Sequence, residues 1–121
     1  MKRFLLALTL LALLLSAPAA GAVRFRDNDG LQVTSVKQLD PRLYALTVKT
    51  AALPDPTSVR ILLPPGYASH RRRHYPVFYL LDGTSGDASD WTVLGDAEQV
   101  IGNRPMITVM PDIALNDDGG G

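Results

Sequence analysis

Val77-Phe78-Tyr79-Leu80-Leu81 and Met106-Ile107-Thr108-Val109-Met110 are two nearly unbroken apolar runs of strand length. Runs of this kind suit strands covered on both faces, as in a parallel sheet flanked by helices. Between them lies Asp90-Trp91 to Ile101, where Trp91, Leu94, Ala97 and Ile101 recur at helical spacing. Gly95 and Gly102 stand where they would interrupt or end that helix, so the pattern predicts one broken or short helix. Strand, helix and strand within one short stretch make a βαβ unit, which typically needs ~30 residues.

Towards the N-terminus the pattern changes. Leu31–Lys37 mixes apolar and polar residues, and Leu43–Thr50 places Tyr44, Leu46 and Val48 on one face. Asp40-Pro41 between them is a turn signal. The two read as an antiparallel pair with one face in water. Val59-Arg60-Ile61-Leu62-Leu63 then runs into Pro64-Pro65-Gly66, which no helix continues. The fold class is therefore α/β, with antiparallel strands first and a parallel βαβ unit after them.

The first 22 residues have a different character. Two cations, Lys2 and Arg3, precede the apolar run Phe4–Leu15, which gives way to Ser16-Ala17-Pro18-Ala19-Ala20-Gly21-Ala22. A basic end, a short apolar run and small residues are the three parts of a secretory signal. The run is too short for a bilayer, which needs ~20 apolar residues. Cleavage is expected after Ala22, giving a product that is secreted, extracellular or periplasmic and does not span a membrane. Residues 23–121 then form the folded part, with ten cations against twelve anions. That balance excludes electrostatic nucleic-acid binding. The absence of cysteine removes disulfides, thiolate metal sites and a cysteine nucleophile together.

Three motifs and a tryptophan, in order, give the sequence a family likeness. Val59-Arg60-Ile61-Leu62-Leu63-Pro64-Pro65-Gly66-Tyr67 is followed by Tyr75-Pro76-Val77-Phe78-Tyr79-Leu80-Leu81-Asp82-Gly83, then Trp91, then Val109-Met110-Pro111-Asp112. This resembles the secreted esterase family of the α/β-hydrolase fold, which includes esterase D (S-formylglutathione hydrolase) and the antigen 85 mycolyltransferases. The likeness covers roughly residues 57–112.

The resemblance implies a serine esterase or acyltransferase acting on a small-molecule, lipid or sugar ester. It implies no metal and no organic cofactor. In such folds one oxyanion-hole N–H comes from the loop after the third strand. The match places it at Thr84, with Gly83 permitting the turn that aims it. It also implies that Asp82 contacts a sugar hydroxyl or positions the acceptor, with Ser85 and Trp91 beside the substrate. Ser85 stands where the mycolyltransferase branch carries arginine, so the likeness does not extend to trehalose recognition.

The sequence holds no G-x-S-x-G: Gly83-Thr84-Ser85-Gly86-Asp87 lacks glycine two residues after its serine. In this fold the acid and histidine follow the nucleophile, so His70 and His74 come too early in the chain to serve. They flank Arg71-Arg72-Arg73 in what reads as a solvated connector. Asp112, Asn116, Asp117 and Asp118 lack the spacing of a calcium loop. Two buried strands and one crossover leave apolar faces uncovered. The expectation is thus that residues 23–121 are the N-terminal portion of a longer, incomplete α/β-hydrolase sheet without its nucleophile. The competing expectation is a secreted, non-catalytic β-rich module that binds glycan or protein through Trp91 and nearby loops. Oligomeric state is not legible.

Overall fold

A computed structural model describes residues 22–83 and 85–113. The expected leader, apart from Ala22, lies outside the described residues. Five strands occur where apolar patterning placed them: β1 (Leu31–Gln38), β2 (Leu43–Thr50), β3 (Thr57–Leu62), β4 (Val77–Tyr79) and β5 (Ile107–Pro111). They form one mixed sheet in the order β1-β2-β3-β5-β4. The first three pair antiparallel, β3 pairs antiparallel with β5, and β4 runs parallel to β5. A mixed sheet with one parallel pair and two short helices is compatible with a fragment of an α/β fold; the two-layer packing of a β-sandwich is not formed by these strands.

Local chemistry explains the breaks. Asp40 closes the β1–β2 turn, its Oδ1 accepting the N–H groups of Arg42 and Leu43 at 2.7 and 2.8 Å. The ladder slips between Val33 and Ser35, and the Thr34 hydroxyl donates to the Thr47 carbonyl instead. β3 stops before the proline pair, the last N–H, that of Leu63, donating to Arg42 O at 2.9 Å.

The helical segment is broken, as its glycines suggested. α1 (Asp90–Val93) and α2 (Ala97–Ile101) are separated by Gly95 and by Asp96, whose φ is 50°; Gly102 ends α2 at φ 57°. Helices this short have little stability of their own. Packing holds α2: Ala97 and Ile101 bury against Leu43, Leu62 and Met110, with Leu80, Trp91 and Met106 at the margin. Arg42 adds a polar tie, donating from Nε to Leu63 O and from Nη2 to Gly102 O, both at 2.8 Å. Arg104 donates to the Val100 and Ile101 carbonyls at the end of α2.

The opposite face of the sheet has a second core of Tyr44, Leu46, Val48 and Leu63. Val23 and Phe25 pack against it, Phe25 lying edge-on to Tyr44 with ring centroids 5.3 Å apart. Tyr44, Leu46 and Val48 thus share a buried face, as their alternation required.

Two expectations need correction. β4 was read as a strand covered on both faces, yet Val77 and Tyr79 are 48% and 62% exposed. Among the described residues β4 has β5 as its one strand neighbour, and α2 packs over β2, β3 and β5 instead. Leu94 was read as part of the helix's buried stripe but is 80% exposed. The break at Gly95-Asp96 turns the stripe, so Ala97 and Ile101 face the sheet while Leu94 does not.

Candidate functional site

β4 and β5 run side by side in the same direction, with Val77, Phe78 and Tyr79 opposite Ile107, Thr108 and Val109. Their C-terminal ends therefore lie together. Leu80 continues the ladder by one bond, its N–H donating to Val109 O at 2.9 Å. The chain then leaves the sheet through Leu81, Asp82 and Gly83, while β5 runs out through Pro111 into Asp112 and Ile113. In open α/β sheets, ligands bind outside the carboxyl ends of the strands.

Asp82 joins the two exits. It is 9% exposed, and its Oδ1 accepts the Ile113 N–H at 3.2 Å. Its Oδ2 is buried and has no hydrogen-bond partner among the described residues. A buried polar atom without a partner costs ~1–3 kcal/mol, so such an atom calls for a specific explanation. Asp82 lines a pocket of about 300 Å³ with Gly83, Asp90, Trp91, Leu94 and Gly95. Trp91 is half-buried against the α2 core, and its Nε1 is likewise buried without an acceptor. Asp82 and Trp91 both line the pocket, while these two atoms are themselves enclosed.

Residues 85–90 are held by short-range hydrogen bonds. Gly86 N–H donates to Gly83 O at 3.1 Å, Asp90 N–H to Asp87 O at 3.1 Å, and Ser89 N–H to Asp87 Oδ1 at 2.6 Å. The Ser89 hydroxyl and N–H, helped by the charge of Arg60, hold the Asp87 carboxyl below the usual carboxylate range. A Cβ on Gly86 would lie 2.6 Å from Asp90 Oδ2 and 3.1 Å from Asp82 Cβ, so the close approach of those two acids needs glycine there. Gly83, which sequence reasoning chose as the turn glycine, has open space where a Cβ would be. The steric demand falls three residues later.

Of the residues that the sequence singled out, Asp82, Gly83 and Trp91 come together around this pocket. Ser85 is exposed in the turn and does not line it. Thr84, whose amide carries the oxyanion expectation, lies outside the described residues. His70, His74 and Arg71–Arg73 are exposed, and none of them lines the Asp82 pocket. Asn116–Asp118 lie outside the described residues, among which no cluster of three metal-ligating side chains occurs. Sequence reasoning missed Gly86 and Asp90. A glycine four residues before an acid at a helix start gives no signal until the loop is folded.

A second acidic pair lies away from this pocket. Glu98 on α2 and Asp40 in the β1–β2 turn form an acidic pair. The hydrogen bond to Asp40, with burial and the negative charge of Asp40, pushes the Glu98 carboxyl up to about 7. For Asp40, burial acts the other way from the net result. The hydrogen bonds from Glu98, Arg42 and Leu43 and the Arg42 charge outweigh burial and hold its carboxyl below the usual range.

One parallel strand pair whose exit loop lines a pocket is compatible with the ligand-binding end of an α/β sheet. Comparison with known proteins narrows this further. The family described as "Putative esterase" matches residues 50–118, more than half of the chain, and the chain belongs to that family. It is also 36% identical over 88 residues to the esterase MT1326 of Mycobacterium tuberculosis strain CDC 1551 / Oshkosh. The same identity and length hold for the esterase Rv1288 of strain ATCC 25618 / H37Rv. Each match takes in 71% of this chain and 19% of the relative, so the chain spans about a fifth of those proteins' length.

Proposed function

We propose that this chain is part of an exported serine esterase or acyltransferase of the α/β-hydrolase fold, contributing one wall of its active site. The observation that carries the reading is the Asp82–Gly83 loop. It leaves the sheet beside β5, over a pocket with an unpartnered buried carboxylate oxygen, in a chain of the esterase family. In this reading a serine outside these 121 residues attacks the acyl carbon of an ester, and a histidine takes its proton. The carbonyl oxygen becomes an oxyanion, steadied by the Thr84 N–H and by the amide after the serine. Collapse expels the alcohol and leaves an acyl-enzyme. Water then gives hydrolysis, and a sugar hydroxyl gives transfer. Asp82 and Trp91 line the pocket in which that acceptor would sit. Residues 1–22 are the export leader, and no helix among the described residues is long and apolar enough to cross a membrane.

The test joins this chain to the coding sequence that follows it, where a G-x-S-x-G flanked by strand and helix patterns is expected. That protein should hydrolyse p-nitrophenyl esters, and its exported form should begin at Val23. Thr84→Pro deletes the amide donor and should lower kcat by about 10²–10³. Thr84→Ala keeps the amide and should leave kcat near wild type. The 121-residue chain alone should show no turnover. Turnover that vanishes on Ser85→Ala would sink the reading of where the nucleophile lies.

A further inference from the structure

The pocket beside Asp82 is more apolar than its two acids suggest. Trp91, Leu94 and Gly95 belong to its lining, at the i, i+3 and i+4 spacing that sets residues side by side on a helical turn. The one polar atom of the Trp91 side chain, Nε1, is enclosed, so the indole surface that reaches the pocket is carbon. Leu94 adds an alkyl side chain that the break at Gly95-Asp96 keeps off the sheet. Gly95 lies against the indole: a Cβ there would be 3.0 Å from Trp91 O and 3.3 Å from Trp91 Cε3. Gly83, also in the lining, leaves open space where its Cβ would be. Asp82 brings little polar surface, because Oδ1 accepts the Ile113 N–H and Oδ2 is enclosed. Asp90 is the other acid, and its Oδ2 accepts the Asp87 N–H.

A site that recognises a sugar has to answer its hydroxyls with hydrogen-bonding partners, since a buried hydroxyl left unanswered costs free energy. Among the described residues this lining offers the Asp90 carboxylate for that purpose and otherwise carbon. We propose that the pocket receives the uncharged, apolar alcohol portion of an ester, a short alkyl chain or a single aromatic ring. The proposal rests on the esterase reading above and selects hydrolysis over transfer to a sugar. A volume of about 300 Å³ stands at the small end for ligand sites, ~300–1,000 Å³, which suits one such group. The carboxylates of Asp82 and Asp90 disfavour an anionic guest. As the bond between the acyl carbon and the alcohol oxygen breaks, that oxygen takes the proton that the histidine removed from the serine. The neutral alcohol leaves, and water then forms the new bond to the acyl carbon and releases the acid.

Trp91 is the one tryptophan in the sequence, so its fluorescence reports on this pocket. The experiment titrates the 121-residue chain with benzyl alcohol, 1-hexanol and glucose. The expected result is a saturable change in emission with both alcohols, in the millimolar range for so few atoms, and none with glucose. Leu94→Ser should weaken both alcohols about fivefold, and Gly83→Leu, which fills open space, should abolish saturation. Leu94 is largely exposed, so its replacement leaves the cores intact. Val100→Ser, at an exposed apolar residue outside the lining, should change nothing. A saturable response to glucose alone, a linear response to every probe, or binding unchanged in both Leu94→Ser and Gly83→Leu overturns the proposal. In the longer protein of the preceding test, Leu94→Ser should raise KM for benzyl acetate about fivefold and leave KM for methyl acetate unchanged. If that protein turns over no ester while the alcohols still saturate the chain, the esterase reading fails and the apolar binding site stands. If it turns over both esters and Leu94→Ser shifts neither KM, the pocket assignment fails and the esterase reading stands.

Discussion

Substituting the two loop glycines separates steric necessity from motif. In Gly86→Ala the new methyl would lie 2.6 Å from Asp90 Oδ2, 3.1 Å from Asp82 Cβ and 3.4 Å from Asp82 Oδ2. The first contact is with the end of a side chain that can rotate, though only by giving up Asp90's acceptance of the Asp87 N–H at 3.3 Å. The second is next to the backbone and can yield only by moving the loop. Overpacking of this kind costs ~1–3 kcal/mol. The stiffer unfolded chain returns ~0.4–1 kcal/mol. The net expectation is a loss of about 1–2 kcal/mol, or roughly 4–16 °C in Tm for a domain this small. Gly83→Ala meets nothing within 4 Å and should be neutral or slightly stabilising. Urea denaturation gives both values from the midpoint at constant slope. Amide exchange at Ile113, whose N–H donates to Asp82, reports whether the loop has shifted. Adding Asp90→Ala to Gly86→Ala should recover part of the loss, since it removes the closest contact. If Gly86→Ala matches wild type in stability and in Ile113 protection, or if Asp90→Ala gives no relief, the acids do not close around Gly86 as described.

Two further outcomes follow from the packing and the charges. Because Glu98 titrates near 7 in the fold, above its ordinary 4.5, its contribution is complete below the unfolded value and is lost as pH rises through about 7. Asp40 is shifted downward, and its contribution is lost only as pH falls into the acid range. Wild type should therefore lose urea resistance between about pH 5 and about pH 8, and Glu98→Gln, which does not titrate, should lose less; equal slopes would dismiss the upward shift of Glu98. Met110 is fully buried between α2 and the sheet, so Met110→Ala should cost about 2–5 kcal/mol by urea denaturation. A cost below about 1 kcal/mol would mean that the helix does not rest on it.

Much of the fold was legible because it depends on residues close in sequence. Alternation along Leu43–Thr50, the proline stop after Leu63 and the glycine at 95 each act within a few residues. The strands, their antiparallel beginning and the broken helix follow from those local rules. The solvent exposure of β4 was not legible. An apolar run such as Val77–Leu81 states what a strand would tolerate on its faces, whereas what covers it depends on the strand order. The candidate site divides in the same way. Asp82, Gly83 and Trp91 were visible from motif order and do meet at one pocket.

The amino-acid order by itself determined the elements and the place in the chain where an ester-handling loop is expected, since periodicity, turn chemistry and short motifs are properties of neighbouring residues. The tertiary structure alone decided that Ile113 fastens Asp82, that Gly86 and not Gly83 is sterically confined, and that Leu94 lines the pocket of Asp82. Those relations join residues 12 or more positions apart, or depend on how a loop closes. Only the register of strands and the path of the chain between them bring such groups within reach of one another.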